Sequence, residues 1–216
     1  SCFMYLDESR SPYYLEVKRS EKEVGYKKLF GPSFLDITLP DGCRLLYPPT
    51  GFSQVNESMI PLFLNTVEKL IRPESDARLL DLYCGYGMIG FSLVPKVGSM
   101  IGVEIDGPSV KAAAASAEHL YRKKDIRFIR GEICPALIRN RFPAPAEKEL
   151  LVLDPPRCGT ADDVIKELAR RSPLRVVHIF CGTDVIPGSL AQWKNQGYEP
   201  SAVQALDLFP GTPNLE

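Results

Sequence analysis

Leu79-Leu80-Asp81-Leu82-Tyr83-Cys84-Gly85-Tyr86-Gly87 opens with a short apolar run and closes on two glycines. It reads as a buried strand entering a glycine-rich turn. About twenty residues on, a second apolar run ends in an acid, Met100-Ile101-Gly102-Val103-Glu104. Glycines at 85 and 87 let a ligand approach the backbone, because no Cβ stands in the way. An acid at the end of the next strand accepts hydrogen bonds from the two hydroxyls of a ribose. The pair of runs therefore points to an adenosine-containing cofactor at the carboxyl ends of parallel strands.

Three readings of that turn compete. Gly85-Tyr86-Gly87-Met88-Ile89-Gly90 matches the dinucleotide pattern G-x-G-x-x-G, a weak signal by itself. Asp81, read as the tip of the first strand, discriminates. Its carboxylate would repel a pyrophosphate. The same carboxylate suits S-adenosylmethionine, which carries a sulfonium and an α-ammonium. The third reading is a tight turn with no ligand. Asp81 favours S-adenosylmethionine.

Composition sets outer limits. The chain has 216 residues, 44% hydrophobic and 25% charged, which suits one substantial core with room for an appendage. No apolar run approaches the ~20 residues of a membrane helix, so no membrane association is expected. Net charge is −1, which gives no support for nucleic-acid binding. Local basic groups (Lys18, Arg19, Lys22, Lys27, Lys28 and Arg122, Lys123, Lys124) read as solvated faces. The six cysteines, Cys2, Cys43, Cys84, Cys134, Cys158 and Cys181, form no C-x-x-C pair. That spacing argues against a zinc or iron–sulfur site and against a disulfide framework, and for reduced thiols in the cytoplasm. No signal peptide is recognisable. The chain starts at Ser1 without a methionine and stops at Glu216, so a processed or incompletely represented chain is expected.

From Leu79 onward, apolar runs at 79–83, 100–104, 126–130, 150–154 and 175–181 alternate with helical patterns. That rhythm implies βαβ units and a mostly parallel sheet. Helices are expected at 109–121, at 161–171 with Thr160 as cap, and at 187–195, ended by Gly197. A last strand is expected within 201–208. Before the sheet, Met59, Ile60, Phe63, Leu64, Val67 and Leu70 repeat at helical spacing, so 56–71 reads as a helix docked on it. Residues 13–47 read as short strands joined at Gly31-Pro32 and Asp41-Gly42. The expected division is a partial β-rich segment at 1–47 and the α/β domain at 48–216.

Two further strand ends carry reactive types. Asp154-Pro155-Pro156-Arg157 follows Leu150-Leu151-Val152-Leu153 and borders the ligand crevice of an open α/β sheet. The prolines rigidify the loop and present Asp154 and Arg157. Cys181 ends the fifth run, after Val176-Val177-His178-Ile179-Phe180. A cysteine there is either a small buried hydrophobe or a thiol activated by the following turn. His119 and His178 are assigned no chemistry.

With these blocks in hand, the chain resembles the S-adenosylmethionine-dependent RNA uracil-C5 methyltransferases, from about Gly42 to Glu216. Pro49-Thr50-Gly51-Phe52-Ser53-Gln54-Val55-Asn56 resembles the family's Phe-x-Gln-x-Asn block, and 81–87 its cofactor loop. Asp154-Pro155-Pro156-Arg157-Cys158-Gly159 resembles its Asp-Pro-Pro-Arg-x-Gly block. Phe180-Cys181 stands where the family has its catalytic cysteine, and 207–216 resembles its terminal Asp-x-Phe-Pro-x-Thr-x-x-x-Glu block.

The resemblance implies a Rossmann-like class I methyltransferase sheet with flanking helices, lacking its last strand, and an RNA substrate (tRNA or rRNA). It implies Cys181 as nucleophile and Glu216 as general base. Gln54, Asp81, Tyr83, Gly85, Gly87, Glu104 and Asp154 would bind S-adenosylmethionine; Phe52, Gln54, Asp154 and Arg157 would hold the uracil. No metal is implied. The family usually has Ser-Cys-Asn-Pro around the nucleophile, where this chain has Phe180-Cys181-Gly182-Thr183, and often a polar residue at the position of Met88. Its N-terminal β-barrel is not recognisable here. Cys158 is read as the small residue of its block rather than a second nucleophile. A binding-only homologue and an NAD-dependent oxidoreductase are the alternatives.

Overall fold

The structure, a computed structural model, describes residues 2–6, 25–49, 51 and 56–208. Five parallel strands form the central sheet: β5 (Arg78–Leu82), β6 (Ser99–Glu104), β7 (Asp125–Arg130), β8 (Glu149–Leu153) and β9 (Arg175–His178), in the order β7-β6-β5-β8-β9. The order reverses at β5, so a crevice opens beyond its carboxyl end, between β6 and β8. β5 and β8 are buried along nearly their whole length because helices cover both faces of the sheet.

On one face lie α1 (Ile60–Ile71), α2 (Met88–Leu93) and α3 (Gly107–Leu120). α1 buries Ile60, Phe63, Leu64, Val67 and Ile71, the expected stripe. Arg72 ends it in the left-handed region, with its N–H donating to Glu68 O. On the other face lie α4 (Pro135–Arg141), α5 (Val164–Ala169) and α6 (Ile186–Asn195), whose Trp193 is buried. Two antiparallel ribbons precede the sheet: β1 (Cys2–Leu6) with β2 (Gly25–Phe30), and β3 (Leu35–Thr38) with β4 (Arg44–Tyr47). The β3–β4 ribbon joins the main core through buried Leu39 and Leu45, and Leu46 N–H donates to Ser116 Oγ on α3 at 3.0 Å.

At the amino end of the sheet, Glu149 is fully buried. Its carboxylate takes a two-pronged bond from Arg171 at 2.6 and 2.9 Å and a longer one from Arg78 at 3.4 Å.

Several expectations need correction. No strand forms within 201–208: Leu206 and Leu208 are buried, and this short alternation mimics a strand, but the segment docks on the core without sheet pairing. The helix expected at 161–171 is only Val164–Ala169. Asp163 precedes it in the left-handed region (φ 58°) and no side chain caps it, so Thr160 has no capping role. β8 and β9 end at Leu153 and His178, so Asp154 and Cys181 stand on loops rather than on the strands. α2 and α4 are short helices whose sequences gave no clear period. Among the described residues no helix is long and apolar enough to cross a membrane, and no three His, Cys, Asp or Glu side chains group as metal ligands.

Candidate active site

The first wall of the crevice is the β5–α2 turn. Tyr83 leaves the strand at φ 63°, a conformation that non-glycine residues rarely adopt. Cys84 N–H then donates to Val103 O at 3.1 Å, and Gly87 N–H closes the turn on Cys84 O at 2.8 Å. Gly85 and Gly87 both have positive φ (54° and 89°). They differ in surroundings. A Cβ on Gly87 would lie 2.8 Å from the Phe91 ring, whereas one on Gly85 would meet nothing within 4 Å. Gly87 is therefore fixed by packing, and Gly85 faces open space.

Asp81 lies beneath this turn, one residue before the end of β5 and wholly buried. Its Oδ2 accepts the Gly90 N–H at 2.9 Å, and among the described residues its Oδ1 has no partner. Burial pushes its pKa up to about 7; the Gly90 bond opposes this, while the charges of Asp154 and Glu104 add to it. The expectation of Asp81 at the strand tip facing a ligand is thus revised: the carboxylate is enclosed and anchors the start of α2.

Glu104 ends β6 and is half-buried. Its Oε2 accepts the Gly85 N–H at 2.9 Å and its Oε1 the Asp106 N–H at 2.8 Å. Each oxygen keeps a lone pair for a further donor. Asp106 in turn caps α3 by accepting from Ser109 N–H at 2.8 Å. The sequence reading missed Asp106, although Asp106-Gly107-Pro108-Ser109 carries an N-cap acid and an early proline. The Tyr83 hydroxyl is pushed up to about 12, first by burial, then by the negative forms of Cys158, Glu132 and Glu104.

The second wall comes from β8 and β9. Asp154 N–H donates to Leu82 O at 3.2 Å, which ties the Asp-Pro-Pro-Arg loop to the end of β5. Pro155 is buried; Arg157 and Cys158 are exposed. Beyond β9, Ile179 N–H donates to Leu153 O at 2.8 Å, and the half-buried Cys181 directs its thiol to Pro155 O at 3.8 Å. A Cβ on Gly182 would sit 3.3 Å from Arg157 O, so the two loops touch.

Asp81, Tyr83, Gly85, Gly87, Glu104, Asp154, Arg157 and Cys181 thus gather at the carboxyl end of the sheet. Phe52, Gln54 and Glu216 lie outside the described residues, as do Lys18, Arg19 and Lys22. The groups present form an acidic crevice with one bare backbone edge and a thiol. Glu104 can hold ribose hydroxyls beside Gly85, and the carboxylates of Glu104 and Asp154 favour a cationic ligand over a pyrophosphate. The donor set therefore fits S-adenosylmethionine better than a dinucleotide.

Comparison with known proteins gives the same direction. A family model described as tRNA (Uracil-5-)-methyltransferase matches residues 47–216. An uncharacterized RNA methyltransferase of Chlamydia trachomatis is 32% identical over 206 residues, 94% of this chain and 51% of the relative. One of Thermotoga maritima is 30% identical over 191 residues, 88% of this chain and 42% of the relative. The chain thus spans about half the length of these curated relatives. The crystal structure of Pyrococcus abyssi tRNA (uracil-54, C5)-methyltransferase with S-adenosyl-L-homocysteine shares the fold, with TM-score 0.71 and 22% identity over 99% of this chain and 49% of that one.

Proposed function

The chain belongs to the tRNA (uracil-5-)-methyltransferase family, and on that premise we propose that it methylates C5 of uridine in RNA, with S-adenosylmethionine as methyl donor. When bound, S-adenosylmethionine supplies an electrophilic methyl group on a sulfonium. Glu104 and the bare backbone edge at Gly85 would hold its adenosine; Asp81 would act indirectly, by fixing Gly90 and the turn above it.

C5 of uracil is a weak nucleophile. The thiolate of Cys181 adds to C6 and creates an enolate, which makes C5 electron-rich. Gln54 would hydrogen-bond the base and share the enolate charge. Once C5 carries the methyl group that S-adenosylmethionine would supply, Glu216 would take the C5 proton, and the electron pair left behind would re-form the C5=C6 double bond as the Cys181 thiolate leaves. Phe52, Asp154 and Arg157 would hold the uracil, which has to leave its stack to enter such a pocket. The observation that carries this reading is the contact of Cys181 Sγ with Pro155 O, at 3.8 Å. It sets the thiol against the loop of Asp154, across the crevice mouth from Glu104.

RNA with 5-fluorouridine at the target tests the chemistry, because fluorine cannot leave C5 as a proton. The expected result is a complex that survives denaturing gels, is absent in Cys181→Ala and persists in Cys158→Ala. Glu216→Gln should accumulate an adduct with ordinary uridine. Trapping that moves to Cys158 would overturn the assignment, and no trapping with any RNA would favour a binding-only protein.

A further inference from the structure

The loop that carries Cys181 lacks the Asn-Pro expected after the cysteine, and Gly182 adds no rigidity of its own. Rigidity comes from the other side. Phe180, the residue before Cys181, stacks on the His178 ring, with centroids 4.1 Å apart and planes 24° apart. His178 is the last residue of β9. Its Nδ1 accepts the indole N–H of Trp193, at 3.1 Å, and the two rings meet edge to face. Trp193 is buried on α6 and packs edge to face on Tyr198 at 5.3 Å. The Tyr198 hydroxyl donates to Pro173 O at 3.0 Å, just ahead of β9.

The indole bond fixes more than a position. Because Nδ1 accepts, the ring hydrogen sits on Nε2 and the imidazole is neutral. Burial agrees, pulling the His178 pKa down to about 4. A neutral ring of fixed tautomer and fixed plane gives Phe180 a flat surface to lie on. Phe180 then sets where the chain turns toward Pro155, the contact of the Cys181 thiol.

We propose that Trp193, His178 and Phe180 form a positioning relay that holds the Cys181 thiol against the Asp154-Pro155 loop. None of the three touches the reacting atoms; they act through the loop. The proposal rests on the reading of Cys181 as nucleophile, and it extends that reading to residues on β9, on the loop after it and on α6 that carry no reactive role of their own.

The test is a mutant cycle in the full chain with Trp193→Phe, which keeps an aromatic ring but removes the donor, and Phe180→Ala. Two rates are read. One is covalent trapping of a tRNA transcript carrying 5-fluorouridine in place of uridine. The other is alkylation of Cys181 by iodoacetamide, mapped by mass spectrometry. Each single variant should slow trapping at least tenfold at saturating RNA and speed alkylation at least threefold, because the thiol is released from Pro155. S-adenosylhomocysteine affinity should stay within twofold. The double variant should be no worse than twofold beyond the more affected single, because both break one chain of contacts. His178→Phe, which keeps the stack, should retain more trapping than His178→Ala.

Additive effects, or trapping and alkylation that fall together, would overturn the relay. So would single variants that leave both rates unchanged. If the wild type traps no RNA, the Cys181 reading has failed. The relay is then judged on alkylation alone: coupling there keeps it, additivity removes it.

Discussion

Asp81, one residue inside the end of β5, and Glu104, the last residue of β6, lie on neighbouring strands, and their different burial gives them different work. Glu104 is half-open, with both oxygens tied to backbone N–H groups yet able to accept more. Two charge-assisted bonds to a ribose are together worth roughly 3–6 kcal/mol before desolvation. Glu104→Ala should therefore weaken S-adenosylhomocysteine binding tenfold or more in calorimetry; an unchanged dissociation constant would remove it from the site. Asp81 is closed off, and its carboxyl titrates near 7 instead of 3.8. A raised folded-state pKa means that its contribution to stability is complete below pH ~4 and is lost as pH rises through about 7. At 1.36 kcal/mol per unit the loss is on the order of 4 kcal/mol. Melting of the wild type should fall more steeply between pH 5 and pH 8 than melting of Asp81→Asn; parallel curves would refute a buried titrating acid. The acid in the strand was legible in the sequence, but its enclosure was not. Burial of residue 81 depends on α2 folding back over it, and α2 is too short to show a period.

The β5–α2 turn separates strain from occupancy at the level of elements. Both glycines have positive φ, so alanine at either site costs roughly 1 kcal/mol of backbone strain. At Gly87 the new Cβ also strikes Phe91. Gly87→Ala should therefore lower the denaturation midpoint by far more than Gly85→Ala. Gly85→Ala should lose only the backbone strain and still weaken S-adenosylhomocysteine binding, because its methyl enters the open side of the turn. Equal stability losses in the two variants would contradict this division. The central strands were legible because burial on both faces favours apolar runs, and α1 because its stripe has a clear period. α5 and residues 201–208 misled for local reasons. A left-handed Asp163 delays the helix, and two buried leucines imitate a strand without pairing.

For the molecule as a whole, the two ends of the sheet divide the tasks. The carboxyl end collects the connecting loops and the reactive groups; the amino end is locked by Glu149 with Arg171 and Arg78. Breaking a buried pair from one side costs about 3–5 kcal/mol. Glu149→Gln should show that loss in urea unfolding with S-adenosylhomocysteine affinity unchanged, and a change in affinity at equal stability would tie the two ends together. The order of the sheet also has a consequence for synthesis on the ribosome. β5 is central, yet its two neighbours arrive at different times. β6 follows almost at once, whereas the pairing of Arg78 with Glu149 spans 71 residues. At roughly 5–20 residues per second, one edge of this central, buried strand waits about 4–14 seconds for its partner. During that interval the nascent half-sheet exposes a row of unpaired amides beside leucines. This is the period in which a growing chain is most prone to pair with another, and in which a ribosome-associated chaperone would have most to protect.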